Sequence, residues 1–517
     1  MIDRRALLGG AAASATLIAG RAWGQSAAPV RTAAGAFQGV IEGGVRVFRG
    51  IRYGRAERFR APVPVPAPAE VQPVDGFGPT APQSGNRYGA QSEDCLFLNI
   101  WTAEANPRAL KPVMLYIHGG AYSGGSVTDP LNDGRALAAR GDVVAVTVNH
   151  RLNAFGYLYL ARLDPRFPDS GNLGQLDLIL ALQWVRDNIV AFGGDPRRVM
   201  VFGQSGGGAK IATMMGMPAA KGLFHRAATM SGQQVTASGP LNATARTRAY
   251  LGKLGVKEND LGALLAMPRE KLIEGLAATD PVLGGGVYFG PVLDMKWLTR
   301  HPFWPDANPQ SLGIPMILGN THDETRAFIA PDSAKMRDLG WGNIAERIAP
   351  ELRIDILPEW VVSEYRTRYP GWTPEQVFYD ATTCGRSWRG QVIEAEERAK
   401  AGAPGFVYQL DFGSRTDPRR GAFHTMDIPL VFGTLAAEGS QTGTGADAHA
   451  ASKAMQDSFV AFARAGDPNH AGLPRWPRYG LDKRATMVFD ARSHVENDPR
   501  KWQRELFARV PYIQPGT

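Results

Sequence analysis

The chain predicts an α/β fold with a mainly parallel central sheet flanked by helices. Three observations carry this. Short β-branched runs recur, each stopped by turn residues; helical patterns lie between them; and the chemically notable residues fall just past the strand ends.

The strand runs are residues 113–117, 143–148, 199–202, 316–318 and 406–410. Short apolar runs bounded by turns are what strands buried on both faces look like. Residues 173–190 carry apolar positions at helical spacing and stop near Phe192-Gly193-Gly194; residues 209–217 and 452–465 do the same, the last stopping at Gly466. Sheets of this kind carry functional groups on loops at the carboxyl ends of their strands.

Bulk composition narrows the class. A chain of 517 residues, 44% hydrophobic, can bury a large core. The net charge of +8 is spread among acids with no Lys/Arg run, which argues against a nucleic-acid partner. Two cysteines, Cys95 and Cys384, are too few for a disulfide framework, and no His/Cys cluster suggests a metal. No internal repeat is visible, and the Pro-rich residues 61–69 predict an extended surface segment.

At the N-terminus, Arg4-Arg5 precede a weakly apolar stretch, residues 6–20, then Ala22-Trp23-Gly24. This predicts a twin-arginine export signal over residues 1–24, one domain over 25–517, and a periplasmic or secreted product. The stretch is too short and too rich in Gly, Ala and Ser to supply the roughly 20 apolar residues of a membrane span, and no later segment does.

Gly203-Gln204-Ser205-Gly206-Gly207 matches G-x-S-x-G between a strand and a helix. There a serine sits on a strained turn with its hydroxyl exposed, flanked by residues small enough for strand and helix to meet. Ser205 is therefore the candidate nucleophile. Upstream, His118-Gly119-Gly120-Ala121-Tyr122 follows another strand. Small residues let amides approach an oxyanion, so Gly120, Ala121 and Gly206 are the candidate donors. His118 reads as a structural residue of this turn.

The chain order expected around such a serine is Ser, then Asp or Glu, then His. His225 follows Ser205 too closely; His301, His322, His424, His449, His470 and His494 remain. His424 lies on a loop past the late strand 406–410 and leads into Asp427-Ile428-Pro429. The acid belongs on the loop after 316–318, where Asp323 and Glu324 are both chemically competent and spacing does not separate them.

Further motifs in order give a resemblance to the type-B carboxylesterase family, which includes cholinesterases and bacterial p-nitrobenzyl esterases. Phe48-Arg49-Gly50-Ile51-Arg52-Tyr53-Gly54 resembles that family's F-x-G-I-P-[YF]-A, departing at Arg52 and Gly54. Glu93-Asp94-Cys95-Leu96-Phe97-Leu98-Asn99 matches E-D-C-L-[YF]-L-N; Asn149-His150-Arg151, Gly171-Asn172-Leu173-Gly174-Gln175-Leu176-Asp177 and Leu473-Pro474-Arg475-Trp476-Pro477 resemble three more signatures. The resemblance implies the α/β-hydrolase fold with helical insertions around an active-site gorge. It implies a serine carboxylesterase acting on a small-molecule ester without a cofactor. It also implies Glu324 as the triad acid, His424 as the base, Ser231 as a supporting serine, and structural ion pairs Arg58–Glu93 and Arg151–Asp177.

Departures from the family narrow the expectation. Gln204 stands where the family often has Glu, and Ala81 where it has a partner for Cys95, so Cys95 is expected to be free. The intervening segment has no tryptophan, and quaternary ammonium groups favour aromatic faces and nearby negative charge, so a cholinesterase is rejected. Alignment back from Pro291-Val292-Leu293-Asp294 puts Gly285 and Val287 where acetyl-selective relatives carry aromatics, predicting a roomy acyl pocket; Phe328 is assigned to the same substrate pocket. The same machinery would serve carbamates, amides or lactones. A non-catalytic binding module is disfavoured because all three triad positions are filled.

Overall fold

A computed structural model describes residues 25–514 and Gly516; the export signal expected over residues 1–24 lies outside them. A twelve-stranded sheet dominates. Its strands are β1 (Gln25–Ser26), β2 (Val40–Glu42), β3 (Val45–Arg52), β4 (Phe97–Thr102), β5 (Lys111–Ile117), β6 (Val144–Val148), β7 (Gly194–Gln204), β8 (Arg226–Met230), β9 (Met316–Thr321), β10 (Gly405–Leu410), β11 (Ala485–Phe489) and β12 (His494–Asn497). They lie in the order β1-β2-β3-β4-β6-β5-β7-β8-β9-β10-β11-β12. From β6 to β11 every neighbouring pair is parallel; the pairs outside that block are antiparallel.

The buried strands explain the apolar runs. On β5, Val113, Leu115 and Ile117 enter one core cluster while Met114 and Tyr116 enter the other. This is the two-residue period of a strand covered on both faces. One face packs against α1 (Leu173–Asn188) and α2 (Gly206–Met214), through Leu173, Leu178, Ile211 and Met214. The other packs against α3 (Asp427–Phe432) and α4 (Ala446–Ala465), through Leu430, Met455, Phe459 and Phe462. Gly193 ends the turn after α1, and Gly466 ends α4, each in the left-handed region that glycine favours.

A third core cluster lies apart from the sheet. It is built largely from residues 329–384, inserted between β9 and β10, with Leu506 and Phe507. This is the helical insertion that the family resemblance implies. The Pro-rich residues 61–69 form no helix or strand beyond the Arg55–Val63 bridge. Cys95 and Cys384 are free and buried.

Both expected ion pairs are present. Arg58 Nε donates to Glu93 at 2.9 Å and its Nη1 donates to the carbonyls of Leu264 and Met267. Arg151 and Asp177 meet at 2.7 Å with side chains only 4% and 0% exposed, and Arg151 also donates to the Arg60 carbonyl. Removing one partner of such a pair strands a buried charge, at a cost of about 3–5 kcal/mol. Asp177→Asn is therefore expected to lower the unfolding free energy by about that amount in urea titration. A loss below about 1 kcal/mol would show that the pair is not needed for the fold.

Candidate active site

β7 ends at Gln204, and Ser205 follows with φ 54° and ψ −124° before α2 begins. A non-glycine residue held there costs about 1–3 kcal/mol and persists only when its surroundings enforce it. They do. The Ser205 amide donates to the Met230 carbonyl at 2.7 Å, tying the turn to the end of β8. A Cβ on Gly207 would stand 1.9 Å from the Ile117 carbonyl oxygen, and one on Gly206 2.0 Å from that of Ala121. Strand, helix and the 118–122 loop therefore meet only because these residues are glycines. The Ser205 side chain is left facing a cavity of about 550 Å³.

Gly120, Ala121 and Gly206 line the same cavity. Among the described residues none of their amides donates to an acceptor, so all three are available to an anion. The loop is braced from below. His118 stacks on His150 with ring centroids 4.6 Å apart, and burial, then the nearby Lys210 charge, pushes the His118 imidazole down to about 3. It stays neutral in the working range and serves the turn, as its position suggests.

His424, 4% exposed, follows β10 on a loop whose next residue, Thr425, has φ 83°. Its Nδ1 bonds Glu324 Oε2, and its Nε2 is buried with no partner among the described residues. Glu324 is fully enclosed: its Oε1 accepts from Ser231 Oγ at 2.5 Å, the Thr321 amide at 2.9 Å and Asn320 Nδ2 at 3.0 Å. Burial alone would raise its pKa, but the His424 charge and these donors outweigh it and hold the carboxyl below its usual value. Asp323 is separated from Glu324 by function. It accepts from the Ala422 amide at 3.0 Å and faces Arg326, so it clamps the loop that carries His424.

The structure thus brings Ser205, His424, Gly120, Ala121, Gly206, Gln204, Ser231 and Phe328 to one cavity, with Glu324 directly behind His424. Gly285 and Val287 do not join them. Residues 284 and 285 form an exposed glycine turn, where a Cβ would meet nothing within 4 Å. The Val287 amide pairs back to the Ala278 carbonyl, and it is the next residue, Tyr288, that lines the cavity. A shift of one residue moves a side chain to the opposite face of an extended segment.

Three cationic residues near the site escaped sequence reasoning. Lys210, on α2, is wholly buried; its Nζ donates to the carbonyls of Ala121 at 2.6 Å and Gly206 at 3.3 Å, spanning both halves of the donor set. Arg353 and Arg386 line the cavity from the insertion. The only local signal for Lys210 was a lysine one helical turn past the serine motif; the arginines had none.

A mainly parallel sheet with a serine on a strained strand–helix turn, a histidine on a later loop and an acid between them in sequence defines an α/β-hydrolase. The chain belongs to the carboxylesterase family, whose model matches residues 26–507, and it is a carboxylic ester hydrolase. It is 34% identical over 505 residues to a para-nitrobenzyl esterase of Bacillus subtilis, covering 92% of this chain and 97% of that one. It is 32% identical over 490 residues to a phenmedipham hydrolase of Pseudarthrobacter oxydans, covering 88% and 94%. A crystal structure of a Geobacillus stearothermophilus carboxylesterase superposes with a TM-score of 0.83 at 36% identity, covering 93% of this chain and 99% of that one.

Proposed function

We propose that the protein is a serine carboxylesterase that works through an acyl-enzyme on Ser205. The observation that carries this is the geometry of His424: one ring nitrogen is bonded to the buried Glu324 carboxylate, and the other has no partner among the described residues, while the ring lies in the wall of the cavity onto which Ser205 faces. His424 takes the proton of Ser205 Oγ as that oxygen attacks the ester carbonyl. The amides of Gly120, Ala121 and Gly206 hold the oxyanion. The alcohol leaves with the proton from His424, and water, activated by the same imidazole, releases the acid. Glu324 stays ionised and stabilises the imidazolium. No cofactor enters.

The acyl pocket accepts chains longer than acetyl. Support comes from the cavity volume of about 550 Å³ rather than from Gly285 and Val287. Choline esters are poor candidates, because Gln204 and not an acid faces the cavity and no Asp or Glu lines it among the described residues. The paired Arg4-Arg5 support export of the folded enzyme to the periplasm or beyond.

The test is active-site labelling. A fluorophosphonate should bind one to one on the peptide bearing Ser205 and abolish p-nitrophenyl butyrate hydrolysis in proportion. Label on another serine, or hydrolysis surviving full labelling, would remove Ser205 from its role.

A further inference from the structure

We infer that Arg353 and Arg386 form a subsite for a free carboxylate, so that the substrate is an ester carrying one negative charge beside the scissile bond. The inference rests on the esterase reading above and names its substrate class.

Both arginines line the cavity that holds Ser205 and His424. Their charges are not balanced locally. Among the described residues Glu351 is the one carboxylate that ion-pairs with either, and it is shared between Lys335 and Arg386, whose Nη1 reaches it at 3.3 Å. Among the described residues Arg353 has no ion pair and no side-chain hydrogen bond, and its Nε is buried without a partner. Its half-buried guanidinium therefore lines the cavity with no protein acceptor of its own among the described residues. Lys335, Arg353 and Arg386 thus share a single paired carboxylate, which leaves room for at least one more negative charge, and the planar fork of a guanidinium matches a carboxylate.

The pair is also held in place. The Arg353 amide donates to the Gly385 carbonyl at 2.9 Å, and its own carbonyl accepts from Ile513 at 2.7 Å. Arg386 sits on a single π-helical turn, Cys384–Trp388, a distortion that often marks functional sites. Its guanidinium lies 4.5 Å from the centre of the Phe328 ring, which is itself 4.9 Å from the His424 ring. Both the cation and the imidazole thus contact one aromatic ring, which keeps them within a span that a short acyl or alcohol chain crosses. Burial, then the Arg353 charge, pulls the Arg386 pKa below its usual value, as expected of cations crowded together without enough anions.

The test uses the full chain and two ester pairs. On the acyl side these are p-nitrophenyl hydrogen adipate and its methyl ester; on the alcohol side, 4-(butanoyloxy)benzoate and its methyl ester. The acid should be preferred in at least one pair, by about tenfold or more in kcat/KM, the size expected of a charge-assisted contact. That preference should shrink with added salt and fall towards one in Arg353→Gln and Arg386→Gln. The wild-type ratio and its salt dependence need no variant to fold. If the methyl esters are cleaved and neither acid is preferred, the inference alone fails. A preference that survives both substitutions in folded protein also ends it. If none of the four esters is cleaved and Ser205 takes no fluorophosphonate, the esterase reading fails with it.

Discussion

Ser205→Ala and His424→Ala are each expected to lower kcat for p-nitrophenyl butyrate by about 10⁵–10⁶-fold, and the double variant by no more than either alone. A hydroxyl without a base is a poor nucleophile, and an imidazole without a hydroxyl beside it has no proton to move. The two atoms act as a unit, so removing the second costs nothing further. What remains comes from the amides of Gly120, Ala121 and Gly206, which neither change touches. Glu324→Gln should be milder, at about 10⁴-fold, because the histidine stays in place. Its loss has two parts. The amide cannot neutralise the imidazolium, and with its oxygen facing the Ser231, Thr321 and Asn320 donors that converge on Oε1 its NH2 is turned to His424 Nδ1, which favours the wrong imidazole tautomer. Losses that multiply in the Ser205/His424 double variant would mean that the two residues serve separate steps.

Lys210→Met is expected to lower kcat by about 10²–10³-fold with a smaller effect on KM, comparable to losing one oxyanion donor. The lysine touches no reacting atom. It acts through the carbonyls of Ala121 and Gly206, the two residues beside Gly120 whose amides are proposed above to hold the oxyanion. Without Nζ those two buried carbonyls lose a donor, and the loop and helix N-terminus are free to separate. Stability supplies a second readout. Burial lowers the Lys210 pKa to about 7, against roughly 10.4 in an unfolded chain. A depressed value means that this group's contribution is present above about pH 10 and is lost as pH falls through about 7. Methionine does not titrate, so melting curves should shift in favour of the variant as pH falls from 9 to 6. A constant difference across that range would show that Lys210 does not titrate there, and an unchanged kcat would show that it holds nothing needed for turnover.

The strands of the parallel block were legible because each is a short apolar run with a turn at its end. The start of one of them was not. β7 begins at Gly194, ahead of the β-branched residues, and pairs with Lys111 across a register shift that no local pattern announces. α2 begins at Gly206 rather than near Ala209, because its first three positions are glycines, poor helix formers that close packing demands. α4 starts at Ala446 rather than Ser452, since its first turn lacks large apolar residues. In the site, Ser205 and the glycine loop carry local signatures. Glu324 and Asp323 could not be separated by spacing, since what distinguishes them is which neighbour each carboxylate bonds. Arg353 and Arg386 were invisible for the same reason: their meaning lies in contacts with Phe328, Gly385 and Ile513, and the third of these is far off in the chain.

The insertion between β9 and β10 has a consequence for how such an enzyme diversifies. Glu324 is anchored at the end of β9 and His424 past the end of β10, two strands zipped together from Met316 with Gly405 to Thr321 with Leu410. The acid–base pair is thus fixed by neighbouring strands, while the long excursion between them folds around its own apolar cluster. The excursion meets that pair at few points, through Phe328 against the His424 ring and Thr383 against Thr325. On the mechanism proposed above, a lineage could alter the excursion, trading an arginine for a leucine or lengthening a helix, while the paired strands keep Glu324 and His424 in register. New specificities then arise by exchange of a cassette rather than by reinvention of a catalyst.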